Sequence, residues 1–174
     1  STEGVLYVEA AALADDGTVR RITLSDGTSN NRLMFSYNSN SNGIRVFIVV
    51  AGVLVVNFNV VILNTTVFNK FAIKYKANDF ALWIDGVEVA SDLVGVTFAS
   101  NILNVIKFEA AVGSSNFYGR CKTVAVFSES LSDTELACLT STNNREIFLN
   151  YYYRMQYVGA NTEALSCAEQ TFNI

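Results

Sequence analysis

The chain has a single tryptophan, Trp83, and the residues predicted around it have the chemistry of a sugar-binding surface. Such surfaces combine a flat aromatic ring, which covers the apolar face of a pyranose, with polar side chains that bond its hydroxyl groups. Side chains alternate between two faces along a β-strand, and this alternation places Trp83 on the polar face of the segment 69–92. We therefore predict a carbohydrate-binding platform made of Trp83, Lys74, Lys76 and Glu88, joined by Asn57 and Asn59 if their strand lies nearby.

The position of Trp83 has a second interpretation, in which the indole has a structural role. An aromatic side chain on the polar face of a strand also suits packing beneath the C-terminal helical tail or against a neighbouring subunit. The stems of long lysine side chains can cover such a ring. The sequence leaves both interpretations open.

The residue types argue against an enzyme. Histidine, the commonest general base and metal ligand, is absent from the chain. Retaining glycoside hydrolysis needs two carboxyl groups about 5 Å apart, which a strand supplies at Glu-x-Asp-x-Glu spacing. No such run occurs, and the close pair Asp133 and Glu135 is explained by a helix cap. The cysteines also lack the spacing of a zinc site. We expect a non-catalytic protein.

The composition indicates one domain that buries many strands. Of the 174 residues, 51% are hydrophobic and 16% are charged, and the net charge is −4. This length allows a sizeable core in a single domain. High hydrophobicity with few charges indicates many buried strands or contacts between subunits. The basic residues form no stripe, so we expect no nucleic-acid partner.

The segment 69–92 predicts a three-stranded meander with an apolar inner face. Asn78-Asp79 and Asp85-Gly86 are turn signals. If both turns have two residues, the strand register follows. The predicted cross-strand pairs are Tyr75 with Leu82, Ile73 with Ile84, and Leu82 with Val89.

The apolar segment 44–63 predicts two strands and not a membrane-spanning helix. It is rich in valine and isoleucine, which favour strands. Arg45, Asn57 and Asn59 would be costly in the hydrocarbon core of a bilayer. Ala51-Gly52 stands where a turn between two strands is expected. We therefore expect no membrane insertion.

Further short strands are predicted at 96–99, 105–112 and 117–128. Together with the earlier segments this makes about ten strands separated by short turns, which is typical of an antiparallel sandwich. We predict that residues 1–140 form this sandwich.

The C-terminal part of the chain predicts helix. Ser132 and Glu135 have the spacing of a capping box at the start of a short helix. Apolar residues recur at helical spacing after residue 145. We predict that residues 141–174 form a helical hairpin that packs on the sandwich and belongs to the same domain.

Three segments resemble a known superfamily of β-sandwiches. Residues 71–86, from Phe-Ala-Ile-Lys-Tyr-Lys to Phe-Ala-Leu-Trp-Ile-Asp-Gly, resemble the core pattern of concanavalin A-like and laminin G-like jelly rolls. Residues 117–136 resemble the closing strand and capped helical turn of that superfamily. Residues 22–33, Ile-Thr-Leu-Ser-Asp-Gly-Thr-Ser-Asn-Asn-Arg-Leu, resemble a version that is common in bacteriophage tail, fibre and other virion proteins.

This resemblance implies an all-β, two-sheet antiparallel jelly roll with a short C-terminal helical appendage. It also implies a non-catalytic virion module, part of a fibre, tailspike or capsid decoration, that binds a host-surface glycan. The alternative is a purely structural domain that holds the subunits of a viral particle together without binding glycan. Viral fibres of this kind are commonly trimers, so the resemblance also implies other subunits of the same particle as partners, in a homotrimer.

The resemblance also raises the question of calcium, because some laminin G-like domains hold this ion with loop oxygens. The candidate ligands are in turns: Asp15, Asp16, Asp26, Asn30 and Asn31. Turns rich in aspartate and asparagine form without a metal. We therefore predict no metal and no cofactor.

Overall fold

The structure is a computed structural model that describes residues 1–142. Within this part, ten strands are followed by one helix. Their bounds are β1 Gly4–Ala12, β2 Arg20–Ser25, β3 Arg32–Tyr37, β4 Gly43–Val50, β5 Val53–Val61, β6 Asn69–Tyr75, β7 Phe80–Ile84, β8 Val87–Asp92, β9 Val105–Lys107, β10 Gly119–Phe127 and α1 Asp133–Thr140. The helical hairpin predicted at 141–174 lies outside the described residues from position 143 onward.

The strands form two five-stranded antiparallel sheets that pack face to face. Sheet A has the strand order β10-β1-β6-β7-β8, and sheet B has the order β5-β4-β3-β2-β9. Alternate residues of both sheets point between them and form the main core. Its largest fully buried side chains are the phenylalanines Phe35, Phe71, Phe80 and Phe98. The predicted fold class, a two-sheet jelly-roll sandwich with a short C-terminal helix, is confirmed.

The first hairpin of the segment 69–92 has a different register from the predicted one. Its connection contains four residues, 76–79, and not two. The Asp79 N–H donates to the Lys76 carbonyl at 3.0 Å, and Asn78 takes a positive φ of 58°. The pairing therefore shifts by two residues, which leaves the same side chains facing the core. The observed pairs are Ile73 with Leu82 and Phe71 with Ile84.

The second hairpin combines the predicted turn with a bulge that was not predicted. Asp85-Gly86 takes φ values of 50° and 92°, as a type I′ turn requires. Trp83 lies opposite Glu88. A bulge between Leu82 and Trp83 then shifts the pairing by one residue, so that Leu82 lies opposite Ala90.

The apolar segment 44–63 forms strands, as predicted. β4 and β5 pair with each other across a turn at Ala51 and Gly52, whose φ values are 49° and 82°. Within residues 1–142, no helix combines the length and the apolar character needed to cross a membrane.

The chain after β8 contains less strand than predicted. Residues 96–99 form no strand, and β9 ends at Lys107 without continuing to residue 112. The chain then folds back on itself as a loop, residues 108–117, in which the Phe117 N–H donates to the Phe108 carbonyl at 2.8 Å. This 108–117 loop lies over the outer face of sheet B, in contact through a small apolar cluster of Ala110, Met34, Phe47 and Val49.

Helix α1 packs on the outer face of sheet A. Its predicted capping box is confirmed, because the Ser132 side chain accepts from the Glu135 N–H and the Glu135 carboxylate accepts from the Ser132 N–H at 2.7 Å. The helix and the sheet share a second apolar cluster that is separate from the main core. Its members are Val5, Tyr7, Ala72, Ala81, Trp83, Leu131, Leu136 and Leu139. The helix therefore covers part of the face on which the sugar-binding platform was predicted.

Candidate functional site

Trp83 lies beneath α1 and not on an open surface. Its side chain is 8% exposed and belongs to the apolar cluster that includes Leu136 and Leu139 of the helix. The indole Nε1 has no hydrogen-bond partner among the described residues. The ring is thus covered by α1, whereas the C-terminal tail of the second interpretation lies outside the described residues. The role of Trp83 in glycan binding stays a prediction.

Lys74 is buried beside α1 and is already paired with carboxylates. Its Nζ lies 2.6 Å from Asp79 Oδ1 and 3.3 Å from Asp133 Oδ1. Burial alone would lower the pKa of Lys74, but the hydrogen bonds with Asp79 and Asp133 outweigh burial and raise this pKa above its ordinary value of 10.5. Lys74 therefore links the start of α1 to the turn between β6 and β7.

Lys76 and Glu88 are exposed at the margins of this covered face. Lys76 Nζ lies 3.4 Å from Glu3 Oε2, and Glu88 stands opposite Trp83 on the edge strand β8. Of the four residues predicted to form the platform around Trp83, Lys76 and Glu88 are exposed, and Trp83 and Lys74 are buried beside α1.

The structure does not bring Asn57 and Asn59 together with Trp83. Both asparagines lie on β5 in sheet B, whereas Trp83 lies on β7 in sheet A. Asn57 and Asn59 are exposed on the outer face of sheet B, and Trp83 is on the outer face of sheet A. The two sets of residues therefore face opposite sides of the sandwich.

The outer face of sheet B carries three arginines that our sequence analysis did not single out as a site. Arg21, Arg32 and Arg45 lie on the adjacent strands β2, β3 and β4. The register places Ser36 between Arg21 and Arg45, and Asn59 on the other side of Arg45. These four residues form one row across the sheet. Arg32 is four residues from Ser36 and therefore shares its face.

The ring of Phe47 lies between two of these arginines. Its centroid is 5.2 Å from Cζ of Arg32 and 5.0 Å from Cζ of Arg45, so both guanidinium groups make cation–π contacts with it. Arg45 Nε donates to Asn57 Oδ1 at 2.9 Å, and Asn59 Nδ2 lies 3.4 Å from the same oxygen. We call this surface the arginine face; it consists of Arg21, Arg32, Arg45, Phe47, Asn57 and Asn59.

The arginine face has positive charge without an anionic partner in the part of the chain that the structure describes. None of the three guanidinium groups forms an ion pair with a carboxylate of residues 1–142. Burial lowers the pKa of Arg21, and the charges of Arg45 and Arg32 lower it further. The Nε atoms of Arg21 and Arg32 are buried and lack a hydrogen-bond partner in the described part of the chain. An anion would relieve the repulsion among these groups, because guanidinium binds carboxylates in a bidentate way.

A signal for the arginine face was present in the sequence, but it was incomplete. Arg21, Arg32 and Arg45 each stand at an outward position of an alternating strand. They are separated by turns and loops, and their adjacency depends on β2, β3 and β4 pairing in order. A search that aligned the outward positions of consecutive hairpins would have found them.

Comparison with known proteins gives structural relatives but no sequence family. No family model matches the chain, and no curated protein matches it. The structure is similar to the CBM40 of the Ruminococcus gnavus IT-sialidase bound to alpha2,3 sialyllactose, with 16% identity and a TM-score of 0.63, over 80% of this chain and 83% of that chain.

Two further solved structures have the same architecture. Domain 4 of AbnA, a GH43 extracellular arabinanase from Geobacillus stearothermophilus in complex with arabinotriose, is 9% identical with a TM-score of 0.62, over 81% of this chain and 68% of that chain. The SAP-like pentraxin from Limulus polyphemus is 10% identical with a TM-score of 0.61, over 83% of this chain and 72% of that chain.

These similarities define a class of fold, the two-sheet jelly-roll sandwich of concanavalin A-like type. At 9% to 16% identity they establish the fold alone. None of the three is described as a virion protein.

Proposed function

We propose that this chain is a non-catalytic module that binds an acidic glycan on the arginine face. The observation that carries the proposal is the group of three adjacent guanidinium groups, Arg21, Arg32 and Arg45, without an ion-pair partner among the described residues. Like charges placed together on a folded surface repel each other, so their grouping favours an anionic ligand. A sugar with a carboxylate is the ligand class that suits both the charge and the neighbouring amides.

Each part of the arginine face has a task in this proposal. Arg21 and Arg32 are partly exposed and have no ion-pair partner among the described residues, so their guanidinium groups can bond a carboxylate. Phe47 makes cation–π contacts with Arg32 and Arg45 and so restricts their side-chain rotamers before a ligand binds. The two arginines therefore lose less conformational entropy on binding. Asn57 and Asn59 are exposed amides that suit hydroxyl groups of the sugar ring. The proposal thus retains Asn57 and Asn59 of the carbohydrate-binding platform that was predicted from the sequence. Both lie on the opposite side of the sandwich from Trp83.

The comparisons support a carbohydrate in this role. The CBM40 and the AbnA domain, which share the fold, were solved with sialyllactose and with arabinotriose respectively. Sialyllactose carries a carboxylate, whereas arabinotriose is neutral. The positive charge of the arginine face favours the first type of ligand over the second for this chain.

The test is binding of 3′-sialyllactose, with neutral lactose as the control ligand, measured by titration calorimetry. Arg45→Ala should weaken binding of the acidic sugar by roughly ten- to 150-fold, because a charge-assisted hydrogen bond contributes about 1.5–3 kcal/mol. Arg45→Lys should give an intermediate loss, since it keeps the charge but not the bidentate geometry. Arg120→Ala, which removes an exposed arginine from sheet A, should leave the affinity unchanged.

Two outcomes would contradict the proposal. One is equal affinity for sialyllactose and lactose, which would remove the role of charge. The other is an Arg45→Ala variant that folds normally and binds the acidic sugar as tightly as the unmodified chain.

The virion setting remains part of the proposal and rests on the sequence resemblance alone. We propose attachment to a host-surface glycan as the task of the module in a fibre, tailspike or capsid decoration. Immunogold labelling of purified particles, with an antibody raised against this chain, would test that location.

A second candidate function is a structural one, in which the domain joins subunits of a particle. The observation that favours it is a set of exposed apolar side chains on and just after β5 and β8. These two strands are the edge strands of the two sheets, and they lie next to each other at one lateral edge of the sandwich. These side chains are Val53, Leu54, Val87, Leu93 and Val94, each 52% to 77% exposed. Light scattering should give the mass of a homotrimer if they form a subunit contact, and the mass of one chain if they do not.

A further inference from the structure

The arginine face carries more positive charge than one carboxylate can neutralise. The chain as a whole is acidic, with a net charge of −4, so this local surplus does not follow from the composition. The charges of Arg45 and Arg32 both lower the pKa of Arg21, which indicates that the three groups lie close enough to repel one another. A ligand with a single carboxylate would leave two of the three charges uncompensated.

Arg21 and Arg45 flank one position for an anion. Their strands, β2 and β4, are separated by β3 alone, and the register places the short side chain of Ser36 between them. Neighbouring strands lie about 4.8 Å apart, so the two long arginine side chains can converge above Ser36. The Ser36 hydroxyl is already engaged, since it donates to the Arg45 carbonyl at 3.1 Å. A carboxylate at this position can therefore accept from both guanidinium groups.

Arg32 forms a second position for an anion, on the other side of Phe47. Arg32 lies opposite Val49, which is two residues beyond Phe47 on β4, whereas Arg45 is two residues before Phe47. Cζ of Arg32 is 5.2 Å and Cζ of Arg45 is 5.0 Å from the centroid of this one ring. Because the ring lies between the two guanidinium groups, one carboxylate cannot bridge them, and each group needs its own anion.

The carboxylate in the turn next to Arg32 does not occupy this second position. Asp26, in the turn between β2 and β3, accepts from the Thr28 N–H at 2.8 Å and from Asn31 Nδ2 at 2.9 Å. It forms no ion pair with Arg32 or with another cation of residues 1–142. The second position, like the first, is therefore without a described counter-ion.

We propose that the arginine face binds an oligosaccharide with two acidic rings, one carboxylate lying between Arg21 and Arg45 and the other at Arg32. The proposal rests on the proposed function, because it specifies the class of acidic glycan that the same surface takes. It explains why three arginines are grouped around the single ring of Phe47. It also predicts that the chain prefers a run of acidic sugars to a glycan with one acidic ring.

The test compares two ligands that differ by one acidic ring, by titration calorimetry on the full chain. They are 3′-sialyllactose and a disialyllactose in which a second N-acetylneuraminic acid extends the first. The disialyllactose has an advantage of about twofold from statistics alone, since either of its carboxylates can occupy a given position. The unmodified chain should exceed this and bind the disialyllactose about tenfold more tightly, because the second contact is then intramolecular.

Substitutions assign the two positions. Arg32→Ala should keep its affinity for 3′-sialyllactose and lose the preference for the disialyllactose beyond the statistical advantage. Arg32→Lys should retain part of this preference, since it keeps the charge. Arg45→Ala should weaken binding of both ligands, and the control Arg120→Ala on sheet A should change neither affinity.

Because Arg32 is partly exposed, its variants should fold, and circular dichroism checks this. NMR supplies a second readout: the side-chain Nε–H resonance of Arg32 should shift with the disialyllactose but not with 3′-sialyllactose, whereas that of Arg45 should shift with both. A preference of about twofold or less in the unmodified chain, or an Arg32→Ala variant that keeps the larger preference, would overturn the diacidic ligand and leave the proposed function standing. Binding of neither ligand by the unmodified chain would overturn both.

Discussion

At the residue scale, Trp83 shows that side-chain chemistry and side-chain position are separate facts. Its type and its outward place on β7 suit a sugar platform, but α1 covers the ring. Arg45 is the reverse case. In the sequence it indicated only that residues 44–63 do not form a membrane-spanning helix, and it was not predicted as a binding residue. In the structure it lies against Phe47 and Asn57 on a surface without a described counter-ion.

Two substitutions of Trp83 separate its packing from its chemistry. Trp83→Ala should destabilise the fold by about 3–5 kcal/mol, because it leaves a cavity between sheet A and α1. Trp83→Phe should cost less, about 1.5 kcal/mol or below, since it keeps a ring and removes an indole N–H that is unpaired within residues 1–142. Urea unfolding measures both values.

Glycan binding by Trp83→Phe then tests the original platform. We expect unchanged affinity for 3′-sialyllactose, because the ring lies on the side of the sandwich opposite the arginine face. A large loss of affinity in a stable Trp83→Phe variant would restore the platform on sheet A and argue against the arginine face.

At the scale of elements, local signals were reliable where a short segment carries its own geometry. The capping box before α1 and the type I′ turn after β7 formed as predicted, since a few neighbouring residues suffice for each. The alternation in residues 105–112 predicted a strand of that length, but the observed strand β9 ends at Lys107. A backbone hydrogen bond between Phe117 and Phe108 closes the loop there, and this contact has no local signal.

The cap of α1 provides a prediction at this scale. Ser132→Ala should destabilise the protein by about 1 kcal/mol, within a range of about 0.5–2, because it removes the acceptor for the Glu135 N–H. Ser128→Ala, at an exposed position before the helix, is the matched control and should change the stability by less than about 0.5 kcal/mol. The free energies of unfolding in urea give both values; equal values would mean that the cap does not hold the helix.

At the scale of the whole molecule, the two outer faces of the sandwich have different roles. The outer face of sheet A is covered by α1 and contains a buried lysine with its carboxylates. The outer face of sheet B is partly covered by the 108–117 loop, which contacts Phe47, and it leaves Arg21, Arg32 and Arg45 partly exposed. The proposed binding surface is therefore on the sheet that the helix does not cover.

Stability should fall in alkali, because several buried groups have raised pKa values. Burial raises the pKa of Tyr37 and of Tyr75 above the ordinary value of 10.0, and hydrogen bonds raise that of Lys74. Each of these groups holds its proton more strongly in the folded state than in the unfolded state. Their contribution is complete below about pH 10 and is lost as the pH rises above that value.

Urea midpoints at about pH 8 and at about pH 11 measure this loss. Tyr37→Phe should show a smaller loss between the two pH values, because phenylalanine does not ionise. The same substitution should be nearly neutral at about pH 8, since the Tyr37 hydroxyl has no hydrogen-bond partner among the described residues. An equal loss in Tyr37→Phe and in the unmodified chain would exclude this tyrosine as a cause.

The sequence by itself determined the fold class, most strands up to residue 92 and the start of α1. It also determined which residues of each strand point toward the core and which point outward. These features depend on alternation, turn residues and capping, which act over a few neighbouring residues. Only the tertiary structure decided which outward faces meet, which face the helix covers and which three arginines become neighbours. Those outcomes depend on the order in which distant strands pair, and a local pattern contains no information about that order.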